Sequence, residues 1–378
     1  MSEADQEFAE EEEGEEAPLL AMNDVTVHFE NVSGLNPFAD PEIVHAVDDV
    51  SLEMEENDLI VIVGESGSGK TTLGKTAIGL IRPTEGTVEY RGQDIWAAKD
   101  GRGRIDIAYQ DIRESLQIIH QDPGSALNES LTILDTLSEP LRQRFDELNF
   151  LSRRERIYSV LEEVGLTPPG DYAARYPHQL SGGEKQRVVL TRALLMDPDL
   201  ILADEAVSTL DVSLRLETMD LMLELQEVFE TSYLFISHNL SNARYLAEKA
   251  DGLIGVMYLG RLVEIGTPEE IIQNPKHPYT KVLKWSTPSL SLREEDEVQG
   301  EPPVREIDIP DAVNPPSGCR FHTRCPFARE TCTEELPPLE ATDGEQEVAC
   351  FRQYDDHPYW NSEWLDAEAA RNAEERGI

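Results

Sequence analysis

Leu59-Ile60-Val61-Ile62-Val63 runs straight into Gly64-Glu65-Ser66-Gly67-Ser68-Gly69-Lys70-Thr71-Thr72, and a helical stretch, Leu73–Leu80, follows. The apolar run suits a strand buried on both faces of a parallel sheet. Gly64 to Thr71 fit GxxxxGK[ST], with a strand before the loop and a helix after it. Glycines let backbone fold around an anion, because a side chain would block the approach. The exposed N–H groups and the helix N-terminus then point at phosphates. Lys70 is expected to reach the β- and γ-phosphates, and Thr71 to offer its hydroxyl to Mg²⁺. A chance Gly/Ser turn would lack one or both flanks. The loop alone specifies a nucleotide and no more.

Outward from it, residues 1–17 are mostly Glu, Asp and Ala and read as a disordered tail. Val25–Phe29 and Val44–Leu52 are strand-like, separated by a Pro-containing loop, Ser33–Glu42. From about Leu131 to Val164 the apolar periodicity is helical. Leu200–Ala203, Tyr233–Ile236 and Leu253–Met257 predict further buried strands, with helices starting at Val212 and Leu240 between them. This alternation predicts an α/β fold with a mainly parallel sheet, spanning residues 18–288. Residues 289–318 are acidic and Pro-rich, which predicts a linker. A Cys-bearing segment, 319–361, and an acidic, helix-like tail, 362–378, complete the chain.

Leu200-Ile201-Leu202-Ala203-Asp204-Glu205 is an apolar strand ending in two acids, and such strand ends lie beside the phosphate loop in this topology. Asp204 would hold Mg²⁺, directly or through water, and Glu205 would act as general base toward the attacking water. Without the loop such a run is an ordinary strand end. Leu180-Ser181-Gly182-Gly183-Glu184-Lys185-Gln186-Arg187 opens a helical run. Alone it is best read as a capping box, Ser181 with Glu184.

Together these stretches resemble the ATP-binding-cassette (ABC) family. LSGGEKQR matches its signature and lies between the phosphate loop and LILADE, as in that family. Gln121, in IIHQDPGSALN, matches the Q-loop; Ser208-Thr209-Leu210-Asp211 matches the D-loop; Ser237-His238 matches the switch histidine. The resemblance implies a P-loop NTPase fold with an antiparallel β subdomain and a helical subdomain around 120–190. It also implies head-to-tail dimers, in which the loop of one cassette faces the signature of the other across ATP. Ser181 and Gly183 would then contact a γ-phosphate bound on the opposite subunit, beside Asp211. Gln121 would sense Mg²⁺ and the attacking water, and His238 would hold the γ-phosphate. Phe29 is the match for the aromatic that covers adenine.

Finer text is similar to the ATP-binding subunits of oligopeptide, dipeptide and nickel importers. HQDPGSALN, LTILDTLSEPL, YPHQLSGGEKQR, DEAVSTLDVS, ISHNL, VMYLGRLVEIG and NPKHPYTKVL carry that resemblance, from about Leu20 to Pro338. Gly124, Ala206 and Asn239 depart from the usual aromatic, Pro and Asp. The resemblance implies a second ATPase subunit, self or paralogue, two transmembrane permease subunits and an extracytoplasmic solute-binding protein. It places the chain peripherally on the cytoplasmic membrane face, coupling ATP hydrolysis to peptide uptake. Nickel and oligosaccharides are the other substrates the class offers. A soluble, non-transport cassette ATPase is the rival; a non-hydrolysing regulator would be expected to lack the Glu205 or His238 match.

All four cysteines, Cys319, Cys325, Cys332 and Cys350, lie in one short stretch. Four thiolates suit tetrahedral Zn²⁺ or an iron–sulfur cluster. The C-x₂-C knuckles usual in zinc sites are missing, and Pro326 follows Cys325 as Pro follows a cluster cysteine in ferredoxins. GCRFHTRCPFARETC is similar to the C-terminal region of many peptide-importer ATPases, where an iron–sulfur cluster can occur. A 4Fe-4S cluster is therefore expected, with zinc or free thiols as alternatives, holding together a segment too small for its own core.

Composition bounds the rest. The net charge is −43, with 75 Asp+Glu against 32 Lys+Arg, and only eight of the basic residues are Lys. Such a surface excludes nucleic-acid phosphates. Acid-rich, Lys-poor composition resembles proteins of salt-accumulating extreme halophiles. No stretch of about 18 apolar residues occurs, and the N-terminus shows no signal-peptide pattern, so a cytosolic chain is expected.

Overall fold

The computed structural model describes residues 17–31, 42–121, 126–145, 147–287, 304–305, 308–342, 344 and 346–368. Most of the acidic tail, the Pro-containing loop, Gly124, residues 289–303 and the end of the C-terminal tail lie outside them. The chain opens with β1 (Leu20–Asn31), β2 (Glu42–Met54), β3 (Leu59–Val63) and α1 (Lys70–Ala77). Then come β4 (Glu85–Tyr90), β5 (Gln93–Asp94), α2 (Ile95–Asp100), α3 (Tyr109–Ser115) and β6 (Leu116–Ile119). A helical insert follows: α4 (Ile133–Arg144), α5 (Phe150–Glu163), α6 (Pro169–Ala173) and α7 (Gly182–Leu194). The sheet resumes with β7 (Leu200–Asp204), α8 (Val212–Phe229), β8 (Ser232–Ser237), α9 (Leu240–Ala250), β9 (Leu253–Tyr258) and β10 (Arg261–Gly266). Last are α10 (Pro268–Gln273), α11 (Pro278–Trp285), α12 (Thr331–Glu334), β11 (Glu340–Ala341) and β12 (Glu347–Val348).

These elements form two sheets, a 4-stranded one in the order β2-β1-β4-β5 and an 8-stranded one in the order β11-β12-β10-β9-β3-β8-β7-β6. The first is antiparallel throughout, as the resemblance implied. In the second, β9, β3, β8, β7 and β6 are parallel neighbours. Both faces of the parallel strands are covered, which is why they read as unbroken apolar runs. Leu59, Val61, Val63, Ile201, Ala203, Tyr233 and Phe235 enter the core cluster shared with the helical insert. Ile60, Ile62, Leu200, Leu202, Leu234 and Ile236 enter the cluster shared with α1 and the antiparallel sheet. The period of two thus divides one sheet between two cores.

Two sequence expectations change. The segment after residue 308 is not a body apart. β12 pairs with β10, and Phe321 and Phe327, each 1% exposed, belong to the main core. Burying two such rings contributes roughly 1.5–3 kcal/mol each, so the segment borrows a core rather than depending on metal alone. Part of the expected linker also lies against the fold, where Ala312 O accepts from His45 N at 3.0 Å. Nor does the tail begin as a helix at Ser362. Glu363 and Leu365 exchange backbone hydrogen bonds with Glu330 and Ala328, and the Arg329 guanidinium stacks 3.8 Å from the Trp364 ring centre.

Candidate active site

The loop from Gly64 to Gly69 leaves the C-terminal end of β3 and feeds α1. Gly69 caps that helix in the left-handed region, φ 100°, and a Cβ there would lie 2.1 Å from Ala46 O, so only glycine fits. Ser66 and Gly67 are exposed at the tip, while Ser68 and Lys70 are 3% and 5% exposed beneath it. Lys70 folds back over the loop, donating to Gly64 O at 2.9 Å, Glu65 O at 2.8 Å and Ser68 Oγ at 3.3 Å. Burial pushes its pKa down, against the attraction of Glu205, Asp204 and Glu65. Thr72 sits one residue further along α1, its carbonyl accepting from the Thr76 hydroxyl at 2.8 Å.

The ends of neighbouring strands meet at this loop. Thr71 Oγ1 donates to Asp204 Oδ1 at 2.9 Å, pairing the first turn of α1 with the last residue of β7. Glu205 takes a left-handed φ of 50°, with its N–H donating to Ile236 O on β8 at 3.1 Å. That backbone turns its carboxylate toward His238, with Oε1 3.5 Å from Nδ1. Gln121, just past β6, donates from Nε2 to Ser208 Oγ at 3.3 Å. Phe29, near the end of β1, is 42% exposed, available to a planar ligand. Its neighbour His28 is engaged by Asp48.

Ser181 caps α7 with a full capping box: its Oγ accepts from Glu184 N at 3.3 Å, and Glu184 Oε2 accepts from Ser181 N at 2.7 Å. Ser181, Gly183, Thr209, Asp211 and Leu214 line one open cleft, to which the phosphate loop contributes nothing. Gln186, 2% exposed, donates to Ala206 O at 2.9 Å and ties α7 to the turn after the two acids. Asn239 caps α9, accepting from Ser241 N at 2.8 Å, so the carboxamide does the capping expected of the usual Asp.

Sequence reasoning missed a second set of contacts, from the C-terminal part of the chain. Glu65 N–H donates to Tyr279 Oη at 2.9 Å, and the Arg324 guanidinium grips both carboxylate oxygens of Glu65, at 2.9 and 3.2 Å. Arg320 pairs with Asp48, which His28 also engages. Burial opposes charge on Asp48, yet the hydrogen bonds from His28 and Arg320 hold its carboxyl below the usual range. His28, His45 and Asp48 bring their donor atoms within 4.8 Å of one another. The Arg320 cation on the same carboxylate makes this an ion-pair network rather than a cation site. NPKHPYT and TRCP were legible as blocks of text; nothing in them says that Tyr279 and Arg324 turn toward the loop.

No disulfide joins any two of the four cysteines, which all line one small cavity between α11, α12 and the chain around Phe351. Burial raises each thiol pKa, Cys350 to about 11. Every pair among them is close enough for mutual repulsion to add to the shift of one or both partners. Among the described residues no three of their sulfurs lie within 4.8 Å of one another.

A phosphate loop, two acids and a histidine on adjacent ends of one parallel sheet, with LSGGEKQR on a helical insert, define an ATP-binding cassette. The family model described as ABC transporter matches residues 47–208, and that described as oligopeptide/dipeptide transporter, C-terminal region, matches 263–332. The chain is 40% identical to the oligopeptide transport ATP-binding protein AppF of Bacillus subtilis, over 88% of this chain and 96% of that one. It is also 40% identical to the dipeptide transport ATP-binding protein DppF of Haemophilus influenzae, over 89% and 97%. A dimeric ATP-binding cassette solved in a post-hydrolysis state with ADP and Pi superposes with a TM-score of 0.53, at 26% identity, covering 66% of this chain and 98% of that one. CbiO1 of Clostridium perfringens, at 22% identity and a TM-score of 0.56, covering 69% and 92%, shares the fold. The chain belongs to the ATP-binding subunits of the oligopeptide/dipeptide ABC transporter family, and is an ATPase of that class.

Proposed function

We propose that this subunit powers uptake of oligo- or dipeptides by hydrolysing ATP in a head-to-tail pair of cassettes. The observation that carries the reading is the meeting of Thr71 with Asp204 and of Glu205 with His238 at the loop, while the Ser181–Asp211 cleft is lined by no residue of that loop. The loop from Gly64 to Gly69 wraps the phosphates with backbone N–H groups other than that of Glu65, which Tyr279 holds, and Lys70 exchanges its carbonyl partners for the β- and γ-phosphates. Thr71, Asp204 and Gln121 would hold Mg²⁺, which would supply positive charge to the β- and γ-phosphates. Glu205 takes a proton from water as the water attacks the γ-phosphorus; the bond to the β-bridging oxygen breaks, and His238 steadies the departing phosphate. Ser181, Gly183 and Asp211 meet ATP held by the second ATPase subunit. Phe29 stacks on adenine. The cassette body is residues 18–288, and the C-terminal segment is an extension docked on it.

Partners are two transmembrane permease subunits, contacted near Gln121, and an extracytoplasmic solute-binding protein. Among the described residues no helix is long and apolar enough to cross a membrane. The decisive experiment is Mg²⁺-dependent ATPase activity of the membrane assembly co-purified through this subunit in high KCl, with and without peptide-loaded binding protein. Stimulation by the loaded protein supports the importer. ATP hydrolysis by a chain that never co-purifies with membrane subunits would establish a soluble cassette instead.

Cys319, Cys325, Cys332 and Cys350 would hold a 4Fe-4S cluster. The convergence of all four thiols on one small cavity supports a shared group. When bound, the group supplies a covalent staple and a redox-active centre. Protein purified without oxygen is expected to carry about four iron atoms and acid-labile sulfide per chain. One zinc and no sulfide would reverse the assignment.

A further inference from the structure

Glu65 is the second residue of the phosphate loop, and its charge is the wrong sign for the site. A carboxylate beside a bound triphosphate repels it, and this one is close enough to Lys70 to act on it electrostatically. Yet every hydrogen-bonding part of Glu65 is occupied. Its N–H donates to Tyr279 Oη at 2.9 Å, its carbonyl accepts from Lys70 Nζ at 2.8 Å, and its carboxylate receives the two-pronged Arg324 guanidinium at 2.9 and 3.2 Å. The Arg324 side chain is only 6% exposed. Its guanidinium lies 5.6 Å from the Phe321 ring centre and 5.8 Å from that of Tyr258, and Tyr258 packs on Tyr279 at 4.5 Å. Arg324 is therefore a pre-set fork in an aromatic cage, aimed at one loop residue 259 positions away. Packing alone would not require a cation here; a fixed guanidinium answers a fixed charge.

We infer that Arg324 and Tyr279 are positioning residues for nucleotide binding: Arg324 neutralises Glu65, and with Tyr279 it holds the loop open to the triphosphate. The cysteine segment thus contributes to the ATP site through its own side chains, whether or not the thiols carry a metal. Lys70 releases the Glu65 carbonyl when it turns to the phosphates. Tyr279 and Arg324 then remain as the fixed supports of that residue.

The test is ATP affinity, read with a fluorescent ATP analogue on the full chain, together with KM and kcat of the ATPase. Arg324→Gln should weaken ATP binding and raise KM about tenfold, the scale of one uncompensated charge near the site, with kcat at saturation within about twofold of wild type. Arg324→Lys keeps the charge but not the two-pronged grip, so its affinity should fall between those of Arg324→Gln and wild type; affinity no better than that of Arg324→Gln would overturn the role of charge. Glu65→Gln should bind ATP at least as tightly as wild type, and Glu65→Gln combined with Arg324→Gln should restore affinity lost in Arg324→Gln. Unchanged affinity in Arg324→Gln would overturn the inference. So would a double variant as weak as that single one, or a Glu65→Gln protein that loses as much, because charge would then not be what Arg324 corrects. Should Arg324→Gln fail to fold, the Glu65→Gln and Arg324→Lys results still decide the matter.

Discussion

At the scale of single residues, Glu205 is held for its task by backbone conformation as much as by partners. A left-handed φ of 50° and the hydrogen bond to Ile236 aim its carboxylate at the phosphate side of the sheet. Glu205→Gln keeps shape and removes the proposed base, so phosphate release should fall about 10²–10⁴-fold while ATP binding survives. Size-exclusion chromatography with ATP should then find a stable dimer; wild-type turnover would show that another group takes the proton. Gly69→Ala tests the loop itself. Its Cβ would meet Ala46 O at 2.1 Å, so the loop must distort and the stabilisation by ATP seen in a thermal melt should vanish. The loop and acid residues were legible because their meaning is contiguous: a run of letters encodes a turn. Arg324 and Tyr279 were not, because they reach Glu65 across 259 and 214 positions. Only the fold reveals such distances.

Among elements, legibility followed burial. β3, β7, β8 and β9 carry unbroken apolar runs because both faces are covered, and all were predicted. β4 and β10 were missed. Glu85–Tyr90 keeps an exposed beginning, and Arg261–Gly266 hides an acid, Glu264, at 0% exposure. Glu264 accepts from Lys276 N at 2.7 Å, His277 N at 3.2 Å and Gln346 Nε2 at 2.6 Å, joining β10, the start of α11 and the chain leading into β12. His277, 1% exposed, caps α11 through Nδ1, accepting from Tyr279 N at 3.1 Å. Burial pushes its pKa from 6.5 down to about 3. The folded chain then binds fewer protons than the unfolded one between those values. Its stabilising contribution is complete above pH 6.5 and is lost as pH falls toward 3. Between pH 7.5 and 5 wild type should lose about 2 kcal/mol through this group, a loss missing from His277→Asn. Parallel denaturation curves of the two proteins would exclude it.

For the whole molecule, charge dominates. A net −43 on 378 residues must repel itself at low ionic strength, whereas at about 1 M salt the Debye length contracts to about 3 Å. The melting temperature should rise steadily from 0.1 M to about 2 M KCl; a flat or falling curve would mean that local ion pairs already neutralise the surface. The antiparallel sheet, the parallel sheet and the helical insert were all legible in outline. How the last segment attaches was not, since β12 is two residues long and finds its place only between β10 and the equally short β11.

That attachment sets an order of events at birth. The loop that will seat ATP emerges from the ribosome early, whereas Tyr279 and Arg324 are made 214 and 259 residues after Glu65. At about 5–20 residues per second, the loop waits roughly 10–50 s for its last support. A nascent chain is thus long exposed to cellular ATP with a half-built seat. On the inference drawn above, the seat for nucleotide is complete only once Arg324 has followed the loop out of the ribosome.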